Sequence, residues 1–200
     1  MGKLVTSSVD IQRGVRQGCI LSPLLFNFAD KIFKKATDDC ELGIKINGMR
    51  INIIKYADDT VVLAENIEQL QLLLSRISAA GQEVGLNINI DRTKLMVFSR
   101  ARHEDASLHL DGVRIERVTS MKYLGCLITE DLNPDREIKR RIEMARAIFN
   151  KMRAFFCDDN LNLKLRRRMV KCYVWSVLWY GVEAWTLRVD MINHLEAFEM

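Results

Sequence analysis

"INIIKYADDTVVLAEN" (51–66) sets two adjacent acids, Asp58 and Asp59, between two apolar runs. Runs this rich in Ile, Val and Tyr read as strands. Only Ala57 and the acids separate them, so the acids sit in or beside a tight hairpin turn. Two carboxylates a few ångströms apart repel by roughly 1–4 kcal/mol, depending on the dielectric. A hard divalent cation with oxygen ligands turns that repulsion into binding energy. Asp-Asp occurs at 38–39 and 158–159 as well. The former follows a helix end in a polar stretch and the latter lies in an inter-helix turn, where solvent accounts for the charge. At 58–59 apolar strands press from both sides; an acidic turn with no ligand is the plain alternative.

Upstream, "VTSSVDIQRGVRQGC" begins as a strand and runs into a loop with Gly14 and Gly18. Ser22 followed by Pro23 is a helix start, and Leu25, Phe28, Ile32 and Phe33 give that helix one apolar face. Asn47-Gly48 between alternating residues is a strong hairpin signal. "TVVLAE" is expected to be a central, fully buried strand. Asn66 with Gln69 three residues on forms a capping-box pattern for a helix carrying Ile67, Leu70, Leu73, Leu74 and Ile77, which Gly85 stops. Asp111-Gly112 marks another hairpin, followed by the strand "MKYLGCLI". Asn133-Pro134 caps a helix through Phe156 with Ile138, Ile142, Ala145, Phe149 and Met152 aligned, and a second helix runs from about Leu163 to Tyr180. Strands and helices mix up to residue 130 and helices alone follow. The fold class expected is α+β, an antiparallel sheet with packed helices (1–130) joined to an all-helical segment (131–200).

The 200 residues carry a formal charge of +4. Between 136 and 171, Lys plus Arg number 12 and Asp plus Glu 4, a local +8 that leaves the remainder at −4. A polyanion lying across the basic part and metal ions in the acidic part would explain this division; a solvated helix face is the bland reading. Five scattered cysteines, never in C-x-x-C, fit free thiols in a reducing compartment. The opening "MGKLVTSSVD" is too polar to read as a signal peptide, and no apolar stretch reaches membrane-spanning length. An intracellular protein, cytoplasmic or nuclear and without a membrane partner, is expected.

Four segments, "RGVRQGCILSPLLFN" (13–27), "YADDTVVLAE" (56–65), "GLNINIDRTKLMVFSR" (85–100) and "KYLGCLITED" (122–131), resemble in order the palm motifs of reverse transcriptases from non-LTR (LINE-type) retrotransposons. The tail, "LKLRRRMVKCYVWSVLWYGVEAWTL", is similar to the thumb and following segment of the same elements. The resemblance covers nearly the whole chain. It implies an RNA-directed DNA polymerase whose partners are an RNA template, a DNA primer and dNTPs. Asp58, and less directly Asp59, would be catalytic metal ligands for two Mg2+ ions that clamp the triphosphate and the primer 3′ oxygen. Lys94 would meet the pyrophosphate or donate a proton to it. Arg16, Gln17 and Gly18 would line the nucleotide and template pocket. Tyr56 would pack near the template–primer or serve as a strand aromatic. Tyr123, Leu124 and Gly125 would grip the primer end, with Leu124 equally a core candidate. Arg140, Arg141, Arg167, Arg168 and Lys171 would contact phosphates of an RNA–DNA hybrid without reading sequence.

The family's other essential aspartate belongs to a strand upstream of the Arg-Gly-Val-Arg-Gln-Gly motif. Twelve residues precede Arg13 here, and their one acid, Asp10, is not in that context. The expectation is a palm-and-thumb fragment, lacking fingers and the first catalytic strand, cut at both ends and inactive by itself. The competing expectation is a non-catalytic retroelement relic that binds RNA or RNA–DNA hybrid.

Overall fold

The computed structural model describes residues 20–38, 41–57, 59–99 and 106–199, which form two compact units. The first comprises residues up to 93 together with 108–114; the second comprises 94–107 and the rest of the chain.

In the first unit, helix α1 (Ser22–Asp38) packs on helix α2 (Ile67–Glu83). The stripe on α2 buries Leu73, Leu74, Ile77 and Ala80. The helices meet closely at Gly81, where an added Cβ would lie 3.4 Å from the Phe33 ring and 2.7 Å from the Leu86 carbonyl oxygen. At its start the Asn66 side chain accepts from the Gln69 N–H at 2.9 Å, while the Gln69 side chain reaches back to the Glu65 N–H at 3.4 Å. The reciprocal arm of the box thus closes one residue early. At its end Gly85 takes φ 73°, and the N–H groups of Leu86 and Gly85 donate to the carbonyls of Gly81 and Gln82. This is a Schellman ending, which needs a left-handed residue.

Three hairpins complete the unit: β1 (Ile44–Ile46) with β2 (Met49–Ile51), β3 (Ile53–Tyr56) with β4 (Asp59–Val62), and β6 (His109–Leu110) with β7 (Val113–Arg114). The Gln71 side-chain amide pairs with the backbone of His109, donating to its carbonyl at 2.8 Å and accepting from its N–H at 2.9 Å, which fastens β6 to α2.

The second unit pairs β5 (Lys94–Leu95) in parallel with β8 (Glu116–Arg117), and β9 (Ser120–Tyr123) in antiparallel with β10 (Cys126–Thr129). Helix α3 (Asp135–Phe156) follows, opened by Asn133, whose side chain accepts from the Asp135 N–H at 3.0 Å. Its face Ile138, Ile142, Ala145 and Phe156 forms one core with Val174, Leu178, Met191 and Leu195, and Phe149 and Met152 pack against it. The last two core residues come from helix α6 (Val189–Glu199). The second expected helix is present, but not as a uniform α-helix. It runs as α4 (Leu163–Met169), a π-helical stretch Val170–Trp175 and α5 (Ser176–Leu178). Gly181 at φ 77° turns the chain out of it.

The helices and small, mostly antiparallel ladders are compatible with the α+β class expected; among the described residues the strands form five two-stranded ladders, four antiparallel and one parallel. "TVVLAE", expected as a central and fully buried strand, is not fully buried: among the described residues β4 pairs with β3 alone, Thr60 is exposed, and Val61 and Val62 are half-buried. An apolar run states that a segment wants burial, not that strands supply it on both edges; here α2 covers one face of β4. No helix among the described residues is long and apolar enough to cross a membrane.

Replacing Asn66 by Ala removes the side-chain acceptor at the start of α2 and is expected to cost about 1 kcal/mol. Urea unfolding of the two proteins, compared at equal m-value, measures it.

Candidate functional site

The acidic hairpin is built on a two-residue connection. Tyr56 pairs with Asp59, and Ala57 between them has φ 52°. Left-handed backbone is uncommon for a residue with a Cβ and marks local strain. Asp59 opens β4 with an exposed side chain, and no described residue hydrogen-bonds its carboxylate. Asp58 lies outside the described residues, as do Arg16, Gln17 and Gly18. Tyr56 is 65% exposed.

A divalent ion of the kind that reverse transcriptases generally use needs hard oxygen donors. Asp59 offers one, exposed and uncommitted. No group of three or more His, Cys, Asp or Glu side chains able to hold a metal occurs among the described residues. The donor chemistry fits a cation and supplies part of its shell.

Lys94 belongs to the second unit. Its Nζ donates to Glu116 Oε2 at 2.5 Å across the parallel pair β5–β8. Glu116 is 65% exposed, so this ion pair contributes at most about 1 kcal/mol.

The Tyr123–Gly125 segment is the most constrained part of that unit. Tyr123 pairs with Cys126, leaving Leu124 (φ 46°) and Gly125 (φ 82°) as a two-residue turn. Leu124 is 37% exposed and therefore not core. The turn is held from α3 and from the end of the second helix. Arg140 Nη2 and Arg141 Nη2 both donate to the Gly125 carbonyl, at 2.7 and 2.6 Å. The Tyr180 hydroxyl donates to the Leu124 carbonyl at 2.7 Å. The Arg141 guanidinium lies over the Tyr180 ring, 4.5 Å from its centroid.

Both arginines are oriented by Glu137. Its carboxylate accepts from Arg140 Nε at 2.8 Å, Arg141 Nε at 2.6 Å and the Leu127 N–H at 3.0 Å. Burial pushes the Glu137 carboxyl up, but the hydrogen bonds from Arg140, Arg141 and Leu127 outweigh it and hold it below its ordinary value of 4.5. The same bond raises Arg140. The two arginines expected on phosphates thus have their donors engaged within the protein, and Arg141 is buried. Glu137 and Tyr180 escaped the sequence reading. Glu137 was detectable, since a Glu three and four residues before two arginines on a helix is an ion-pair pattern.

Arg167, Arg168 and Lys171 are placed differently. With Leu163 and Lys164 they line an open concavity of about 410 Å³ along α4 and the π-helical stretch. Lys171 also approaches the Trp175 ring at 5.4 Å. Trp179 and Trp185 pack tilted at 6.3 Å against the core, as structural residues do.

Residues 3–128 match the family described as reverse transcriptase (RNA-dependent DNA polymerase). A transposon-derived protein of Caenorhabditis elegans is 31% identical over 148 residues, which is 72% of this chain and 52% of that protein. The Pol polyprotein of a type-1 retrotransposable element R2 in Nasonia vitripennis is 46% identical over 77 residues, covering 38% of this chain and 7% of its own length. The RNA-directed DNA polymerase from the mobile element jockey in Drosophila funebris is 25% identical over 184 residues, 88% of this chain and 19% of its own. The chain therefore spans about half of the first relative and much smaller parts of the others.

Because Glu137 is held below its ordinary value, its stabilisation is complete above pH 4.5 and is lost as pH falls through the lowered value. The thermal midpoint should drop in that acid range. Glu137→Gln should lower stability at neutral pH by on the order of 3 kcal/mol, as for a broken buried pair, with a lower thermal midpoint and a flatter acid slope. Melting curves from pH 3 to 7 check both.

Proposed function

Since the chain belongs to the reverse transcriptase family of non-LTR retrotransposons, we propose that it forms most of the palm (1–130) and the helical thumb (131–200) of an RNA-directed DNA polymerase. The observation that carries the reading is the exposed, uncommitted Asp59 carboxylate beside the left-handed Ala57, within the segment that the family matches. Strain of this kind concentrates where a turn serves a site.

In this reading Asp58 and Asp59 hold Mg2+, two ions in the complete enzyme. When bound, such ions neutralise the triphosphate and favour the primer 3′ oxygen as nucleophile. The chain's own residues do the rest. Arg16, Gln17 and Gly18 line the nucleotide and template pocket with Tyr56. Lys94 leaves its exposed partner Glu116 to meet the departing pyrophosphate, a weak pair to exchange for a polyphosphate. Tyr123, Leu124 and Gly125 contact the primer end. Arg167, Arg168 and Lys171 line the phosphates of the template–primer duplex, while Arg140 and Arg141 act on the turn that they hold.

Primer extension on an RNA template tests this. The chain joined to an upstream segment bearing the family's further aspartate should extend a DNA primer with Mg2+, and the 200 residues alone should not. Robust synthesis by the chain alone would overturn its proposed inactivity. Asp58→Ala and Asp59→Ala should each lower extension by at least about a hundredfold, the loss expected on removing one site of charge stabilisation. Extension that survives both substitutions would defeat the assignment of Asp58 and Asp59 as metal ligands, and no extension by the joined chain would defeat the polymerase reading.

Hybrid binding should weaken steeply with salt. Replacing Arg167 or Lys171 by Gln should reduce the magnitude of the log–log salt slope by about one unit each, whatever the oligonucleotide sequence. Titrations at four or more salt concentrations give the slope.

A further inference from the structure

Among the described residues, three hairpins turn on two residues that both have positive φ. Two use the residues that such turns favour: Asn47 (φ 48°) with Gly48 (φ 83°), and Asp111 (φ 51°) with Gly112 (φ 77°). The third uses Leu124 (φ 46°) with Gly125 (φ 82°). Asn and Asp tolerate the left-handed region because their short polar side chains bond locally. Leucine has no such compensation and costs about 1–2 kcal/mol there. The chain thus accepts strain at one turn of three, and sets a large apolar side chain at the exposed tip.

That turn has what no hydrogen bond described at the other two supplies, a set of donors aimed at its carbonyls. Arg140 and Arg141 converge on the Gly125 oxygen and Tyr180 meets the Leu124 oxygen, all at 2.6–2.7 Å. Glu137, 3% exposed, fixes both guanidiniums from below and ties itself to β10 through the Leu127 N–H. A Cβ on Gly125 would lie 3.5 Å from the Tyr180 ring, in ordinary contact, so the glycine is required by its φ rather than by space.

We propose that Glu137, Arg140, Arg141 and Tyr180 are positioning residues that lock the Leu124–Gly125 turn in its strained form, so that the Leu124 side chain is presented to the terminal nucleoside of the primer. The proposal rests on the reading of Tyr123–Gly125 as the primer contact and deepens it. Leu124 supplies an apolar surface for a sugar and base edge. The brace supplies register: without it the turn can relax and the tip withdraws from the 3′ end. A brace serving stability alone would have no use for leucine, since Asn at 124 would fold the same hairpin with less strain.

The test measures the full chain by fluorescence anisotropy against two RNA–DNA hybrids of equal length, one with a recessed DNA 3′ end and one blunt. The readout is the ratio of the two affinities. The unaltered chain should prefer the recessed end. Tyr180→Phe removes one hydroxyl, and Arg140→Lys keeps the charge but loses the fork; each should reduce the ratio about three- to tenfold, the effect of one hydrogen bond. Leu124→Asn should raise the thermal midpoint by about 2–4 °C while abolishing the preference. That pairing, firmer yet less selective, is one that a purely structural role does not produce. If the unaltered chain shows no preference for recessed ends, the primer-contact reading fails and the proposal with it. If it shows one that Tyr180→Phe and Arg140→Lys retain, the positioning role alone is overturned.

Discussion

Glu137 sits beneath a hairpin with its carboxylate almost wholly out of water, and the second unit is organised by how that charge is satisfied. A lone buried carboxylate would be untenable; two guanidiniums and a backbone N–H make it stable and also over-compensate it by one positive charge. The excess is met by carbonyl oxygens and an aromatic face. The Gly125 oxygen takes two charge-assisted bonds and the Tyr180 ring takes the face of Arg141. An ion pair that only had to be neutral could have been Glu–Arg. Adding a second arginine produces surplus donors with fixed directions, and these point at a turn. One acid on the first turn of α3 thereby joins β9, β10, α3 and the end of the second helix into a single body.

The distribution of backbone strain follows the same logic. The two-residue turns assigned no role in nucleotide handling are filled with Asn-Gly and Asp-Gly, the least costly choices. Left-handed Ala57 and Leu124 occur at the acidic hairpin and at the braced hairpin, and a third such residue, Leu132 at φ 53°, lies outside both, just before α3. Alanine has no side chain to support such a conformation, and leucine has one that hinders it. On the reading proposed above, local preference yields in the two hairpins to what the turn presents, a carboxylate in one case and an apolar tip in the other.

Much of this was legible in the residues and some was not, for identifiable reasons. Asn66 with Gln69, Gly85, Asn47-Gly48 and Asp111-Gly112 announce caps and turns because their chemistry is local. The α3 stripe from Ile138 to Met152 announces a core because period alone sets it. Strand partnership is not local, so "TVVLAE" gave burial without neighbours, and among the described residues a two-stranded ladder stands where a central strand was read. A π-helical stretch leaves no mark on a hydrophobic period over six residues. Leu-Gly does not read as a turn, since leucine is chosen against turn chemistry. Asp58 and residues Arg16, Gln17 and Gly18, which the resemblance singled out, fall outside the described residues, and of the acidic hairpin's turn only Ala57 and Asp59 are described.

The basic run from 136 to 171 shows why counting charges is a poor guide to which of them meet a polyanion. Arg140 and Arg141 belong to the brace, Arg146 pairs with Glu143, and Arg166 reaches Asp159. Lys164, Arg167, Arg168 and Lys171 have no ion pair among the described residues, and together they wall the concavity on α4. Their spacing of three, four and seven puts them on one stripe of a helix. A stripe of cations without ion-pair partners among the described residues can exchange water and counterions for phosphates with little reorganisation, whereas a guanidinium bound twice to a buried carboxylate must first break those bonds. This line of four cations, roughly two helical turns long, holds half of the segment's excess of +8; Arg136, Lys139, Lys151 and Arg153, likewise without an ion pair among the described residues, carry the rest.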